Sequence, residues 1–165
     1  MSDTDTAKTG DDLAAIRSEF IEKVGLIAQS KGLPRIAGRV FALLVFDGET
    51  VSFADLATRL GVSRGSVSSA TRLLEDRGMI KRVGKPGQRQ DFFRLADDPY
   101  ESMLAAEAAS LERARAEIGA TLEQLPDGCA GIWQRVEGYA RFYERMVEAL
   151  SGAEPSDHSS RRQQG

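Results

Sequence analysis

Two arginines and four serines crowd the stretch SRGSVSSATRLL at residues 63–74. Read as a helix, it turns Val67, Ala70 and Leu74 to one side and leaves Arg64, Ser66, Ser68, Ser69 and Arg72 near the other. Ser63 precedes the first turn and suits a cap. Serine hydroxyls both donate and accept hydrogen bonds, and a guanidinium forks onto phosphates or planar acceptor edges. Such a set recognises a polar surface. Serine is an indifferent helix former, so four of them on one short helix need a reason outside the helix.

A second group follows directly. IKRVGKPGQRQDFFRL, residues 80–95, carries Lys81, Arg82, Lys85, Arg89 and Arg94, with Gln88 and Gln90 flanking Arg89. Glycine and proline at its centre predict a hairpin with strands over 79–83 and 91–95. The net charge of −3 looks wrong for an anionic partner until it is divided along the chain. Residues 51–96 hold nine basic and four acidic side chains, whereas 97–128 hold two and eight. Local charge sets what a surface attracts. The basic block is therefore a candidate nucleic-acid face.

The elements that position these groups are legible around them. Ser52 with Asp55 three residues later resembles a capping box for a helix over 53–60. Gly61-Val62-Ser63 makes a tight turn into the serine-rich helix, which runs to about Arg77 before Gly78. Ala57 is small where two helices must approach, Gly61 suits an unusual backbone angle, and Leu56, Leu60, Val62, Val67, Ala70 and Leu74 lock the pair. That is helix-turn-helix spacing. The following hairpin then stands beside the second helix as a wing. Upstream, Leu13, Ile16, Phe20, Val24 and Ile27 recur at helical spacing. Pro34 opens a second helix that carries VFALLVF and stops at Asp47-Gly48.

The stretch from about 51 to 96 resembles the winged helix-turn-helix of MarR-type bacterial transcription regulators, and the order of the flanking helices resembles the GbsR-like branch. In the MarR pattern the wing carries Asp-x-Arg with Leu-Thr six residues beyond. Here Gly87-Gln88-Arg89 and Leu95-Ala96 stand at those places, so the arginine and leucine match and the aspartate and threonine do not. The resemblance implies a mainly α fold with a small β-hairpin wing, flanked by N- and C-terminal dimerisation helices. It implies a repressor that binds double-stranded DNA as a homodimer on a palindromic operator. Helix 64–77 would enter the major groove, and wing 84–90 would reach the minor groove or phosphates, with Arg89 entering the groove. It further implies release by a small-molecule effector. A winged helix that binds protein instead of DNA is the alternative.

The remainder of the chain sets limits. Residues 1–10 and 151–165 lack periodicity and are expected to be disordered, which leaves 11–50 as N-terminal helices and 97–150 as C-terminal ones. In the last helix Trp133, Val136, Ala140, Tyr143, Val147 and Leu150 alternate by three and four. Leu104, Leu111, Ile118 and Leu125 fall seven apart in the helix before it. Either stripe fits a dimer seam or packing within its own domain. Trp133, Tyr139, Phe142 and Tyr143 could line an effector pocket, and the same spacing suits a core or an interface. Cys129 is the sole cysteine and His158 the sole histidine, so no disulfide framework, metal site or cofactor is expected. Cys129 has no basic residue within five positions, and nothing local marks it as reactive. No nucleophile–base pair or phosphate-binding glycine loop is present, which argues against an enzyme. The polar, acidic start and the absence of a long apolar run point to a cytoplasmic protein without a membrane partner.

Overall fold

The computed structural model describes residues 3–152. Six helices and three short strands follow in the order α1 (Asp3–Ser30), α2 (Arg35–Asp47), β1 (Val51–Ser52), α3 (Phe53–Leu60), α4 (Arg64–Asp76), β2 (Ile80–Val83), β3 (Phe92–Leu95), α5 (Pro99–Glu123) and α6 (Ala130–Ser151). The mainly helical class with a β-hairpin wing is as the sequence implies. The chain divides after Pro99 into two units.

In the first unit α2 is the centre. Ala37, Val40, Phe41, Ala42, Leu43 and Leu44 are all buried, as expected of a helix that is apolar on most sides. Against it lie Ile21 of α1, Leu56 and Leu60 of α3, Val67, Ala70 and Leu74 of α4, and Phe93 of β3. Gly48 takes the left-handed conformation (φ 66°) and ends α2 with its N–H on the Leu44 carbonyl, 3.0 Å away.

The inner face of α1 differs from the expected stripe. Ile21 and Ala28 are buried, and Phe20 and Val24 pack partly against the core, while Leu13, Ile16 and Ile27 stand 55–56% exposed. Around Val24, Gly25 and Ala28, α1 lies close against α2. A Cβ on Gly38 would lie 2.6 Å from Ala28 Cβ, 2.7 Å from the Val24 carbonyl oxygen and 2.9 Å from Gly25 Cα. Small residues mark this crossing, and a search for large apolar residues passes over them. Nor does α1 begin at Asp11: it starts at Asp3, so residues 3–10, expected to be disordered, are helical. The tail from 153 onward, with His158, lies outside the described residues, and Ser151 still belongs to α6.

The strands form one antiparallel sheet in the order β1-β3-β2. Ile80 pairs with Leu95 and Val83 with Phe92 across the wing, and Val51 pairs with Phe93 on the other edge of β3. At two residues, β1 is too short to show a period, and sequence patterning does not reveal it.

In the second unit, α5 and α6 are joined through Pro126-Asp127-Gly128, where Gly128 is left-handed (φ 90°). Leu111 is buried, and Ile118, Leu125, Val136, Ala140, Tyr143, Val147 and Leu150 are half-buried. Leu104 and Trp133 are exposed members of the two sequence stripes. A further face of α6, formed by Ile132, Tyr139, Phe142 and Met146, is 36–53% exposed.

Candidate nucleic-acid interface

The two-helix motif is held by local devices that the sequence specifies. Ser52 Oγ accepts from the Asp55 N–H at 3.0 Å and donates to the Asp55 carboxylate at 2.7 Å, which closes the box at the start of α3. Gly61 (φ 63°) turns the chain, and the Val62 N–H returns to the Ala57 carbonyl at 3.1 Å. Arg39 of α2 donates to the Leu60 carbonyl at 3.0 Å and pairs with Glu22 of α1 at 2.8 Å. One guanidinium thereby ties the turn to both helices behind it. Ser63 then caps α4, its Oγ accepting from the Ser66 N–H at 3.2 Å.

A second anchor lies at the far end of α2. Asp47 receives both forks of Arg17 at 2.6 Å, and Arg59 of α3 reaches it at 3.1 Å while also pairing with Glu49. The Arg17 hydrogen bond, with the charges of Arg17 and Arg59 behind it, holds the Asp47 carboxyl below its ordinary range against the opposing effect of partial burial. Sequence reading missed this cluster because its bonded partners lie 10 to 30 residues apart in the chain.

On α4 the inward set is as expected. Val67, Ala70 and Leu74 are 0–1% exposed, and Thr71 joins them with its hydroxyl donating to the Val67 carbonyl at 2.9 Å. The outward set is narrower than the sequence suggested. Ser63 and Ser66 hydroxyls lie 2.9 Å apart and are engaged in the cap. Arg64 stacks its guanidinium over the Phe53 ring, 5.2 Å from the centroid. Gly65, Ser69, Arg72 and Asp76 are exposed and Ser68 is half-buried beside them. Arg72, among the described residues, has no hydrogen-bond or ion-pair partner.

Pairing thins the basic set of the wing in the same way. Arg82 donates to Glu75 of α4 at 2.8 Å and to Asp91 at 3.0 Å, while Lys81 and Arg94 both pair with Asp97. The Glu75 hydrogen bond raises Arg82 above the usual guanidinium value, and Lys81, then Arg94, lower Asp97 below the usual carboxylate range. These three cations fasten the base of the hairpin. At its tip the Gln88 N–H reaches the Lys85 carbonyl at 3.1 Å, with Pro86 and left-handed Gly87 (φ 77°) between them. That arrangement has the sequence signature of a type II turn. The position that the family pattern fills with aspartate is therefore the left-handed corner of a turn, which favours glycine. Lys85 lies over the Phe92 ring at 4.3 Å. Gln88, Arg89 and Gln90 are exposed, and Arg89 has no ion-pair partner among the described residues.

The aromatic set of α6 is a surface cluster. Tyr139 stacks on Phe142 (centroids 6.5 Å apart) and meets Tyr143 edge-on at 5.2 Å, with the two tyrosine hydroxyls 3.1 Å apart. Trp133 is 41% exposed and joins none of these ring contacts. Cys129 is half-buried and precedes α6 without a side-chain cap bond. Among the described residues no group of histidine, cysteine or carboxylate side chains could hold a metal ion. No helix among them is long and apolar enough to cross a membrane.

A helix-turn-helix with an antiparallel wing, its second helix presenting short polar groups and an unpaired arginine, defines a winged-helix module. Residues 31–91 match the model of the MarR family. The chain is similar to the HTH-type transcriptional regulator MmpR5 of Mycobacterium tuberculosis, 37% identical over 110 residues. That match covers 66% of this chain and 62% of the relative, so the chain spans less than two thirds of that relative's length. It is also similar to the HTH-type transcriptional repressor OpcR of Bacillus subtilis, 25% identical over 131 residues, covering 79% of this chain and 70% of the relative. A crystal structure of a transcriptional regulator superposes with a TM-score of 0.68 at 27% identity, covering 82% of this chain and 92% of that one. Each of these three proteins is named as a regulator or repressor of transcription.

Proposed function

We propose that the protein is a double-stranded DNA-binding regulator of transcription, acting as a repressor in the cytoplasm. The observation that carries this reading is the outward stripe of α4. Short Ser68 and Ser69 stand one turn before the long, unpaired Arg72, a profile that lets a helix sink into a major groove while one guanidinium reaches a guanine edge. Arg64, steadied on Phe53 at the start of the helix, suits a flanking phosphate. Arg89 at the wing tip suits the minor groove or the adjacent backbone, with Lys85, Gln88 and Gln90 beside it. The repressor role follows the likeness to OpcR, and the flanking-helix order supports the GbsR-like branch.

The regulator acts as a homodimer on an inverted repeat. Support comes from apolar residues that the chain leaves uncovered: Leu13 and Ile16 on α1, and Ile132, Tyr139, Phe142 and Met146 on α6. Exposed apolar faces of this kind mark protein interfaces. The heptad stripe from Val136 to Leu150 is already half-buried, so the α6 seam lies on the neighbouring face. The exposed aromatic cluster is read as part of that seam and not as an effector pocket.

Selection of bound fragments from a random duplex pool tests the reading. Enrichment of an inverted repeat with half-sites about one helical turn, ~34 Å, apart is expected. A pool that stays unenriched, with binding no stronger than that of a charge-matched control protein, contradicts it.

A further inference from the structure

Position 65 carries no side chain, and nothing in the fold requires that. Gly65 lies in the first turn of α4, and its φ is not in the left-handed range. A Cβ there would meet only Ser63 Oγ, at an ordinary 3.9 Å. Glycine is the poorest helix former after proline, and alanine would serve this exposed site better. Open glycines also occur at Gly119 and Gly138 in the C-terminal helices, so openness alone decides nothing.

What distinguishes Gly65 is the face it shares. It stands one turn before Ser69 and two before Arg72, on the exposed side opposite Val67, Ala70 and Leu74. Next to it Ser66 is folded back onto Ser63, 2.9 Å between hydroxyls, and Arg64 is drawn aside over Phe53. The leading end of the outward stripe is thus cleared of reaching side chains, while Arg72 projects farther along.

We propose that Gly65 sets the docking depth of α4: double-stranded DNA approaches this position to within the space of a methyl group, which brings Arg72 into reach of a base edge. This inference rests on the DNA-binding reading. Gly65→Ala and Gly65→Leu test it, read by thermal unfolding and by anisotropy titration of the duplex selected by the wild-type protein. Gly65→Ala is expected to melt at or above the wild-type temperature. It should weaken binding by about tenfold or more, the order that loss of one base contact costs, and Gly65→Leu should weaken it further. Wild-type affinity in a folded Gly65→Ala overturns the inference while leaving the DNA-binding reading intact. A wild-type protein that binds no duplex overturns both.

Discussion

The crossing of α1 over α2 supports a quantitative test through Gly38→Ala. The added Cβ would stand 2.6 Å from Ala28 Cβ, 2.7 Å from the Val24 carbonyl oxygen and 2.9 Å from Gly25 Cα. Two of those neighbours are main-chain atoms, so relief requires α1 to move as a body. Overpacking of a closed site costs about 1–3 kcal/mol, and three simultaneous clashes place this one at the upper end, about 3 kcal/mol. Alanine returns about 1 kcal/mol in helix propensity. A net loss of about 2 kcal/mol lowers the melting temperature by roughly 4–8 °C in a chain of this size. Gly25→Ala is the internal comparison. Its Cβ would meet Arg39 Cγ at 2.8 Å and Arg35 Cγ at 3.2 Å, side-chain atoms that can swing outward, with the Arg35 carbonyl oxygen at 3.3 Å. Its loss should be smaller, about 1 kcal/mol or less. Thermal unfolding followed by far-UV circular dichroism measures both. Equal or greater stability of Gly38→Ala, or a larger loss for Gly25→Ala, refutes the packing argument.

Asp47 carries a second prediction. Because Arg17 lowers its folded-state pKa, its contribution to stability is full above the ordinary carboxylate range and is lost as pH falls through the depressed folded value. Asp47→Asn should lower stability at pH 7 by about 1–2 kcal/mol and flatten the acid side of the stability profile; an unchanged profile counts against the cluster. Ser63→Ala removes the α4 cap and should cost about 1 kcal/mol in denaturant unfolding, with no measurable change disproving the capping role. Phe142→Glu places a charge on the exposed α6 face and should shift the protein to monomer in sedimentation, whereas an unaltered dimer would move the seam elsewhere.

The sequence revealed those parts of the fold whose signals are local. Ser52 with Asp55, Gly61 and Ser63 act within three or four residues, and the helices they bound lie where the spacing predicts. The inner face of α1 did not show, because close packing selects Gly25 and Ala28, which an apolar scan does not weigh. In the interface, Val67, Ala70 and Leu74 gave the inward side of α4 correctly, and with it Ser69 and Arg72 on the outside. The engagement of Ser66 with Ser63, of Arg64 with Phe53 and of Arg82 with Glu75 depends on side-chain geometry that residue types do not specify. A net local charge counts Lys81, Arg82 and Arg94 as available when all three are paired.

In the proposed DNA complex, labour is divided between Arg72 on the helix and Arg89 on the wing. Titrating Arg72→Ala and Arg89→Ala against the selected duplex and a random one, across a range of salt, tests it directly. Arg72→Ala should weaken specific binding by about 1–3 kcal/mol and leave random binding nearly unchanged. Arg89→Ala should weaken both and reduce the salt slope by about one. Equal losses on both duplexes for the two variants would contradict the assignment of α4 as the reading helix.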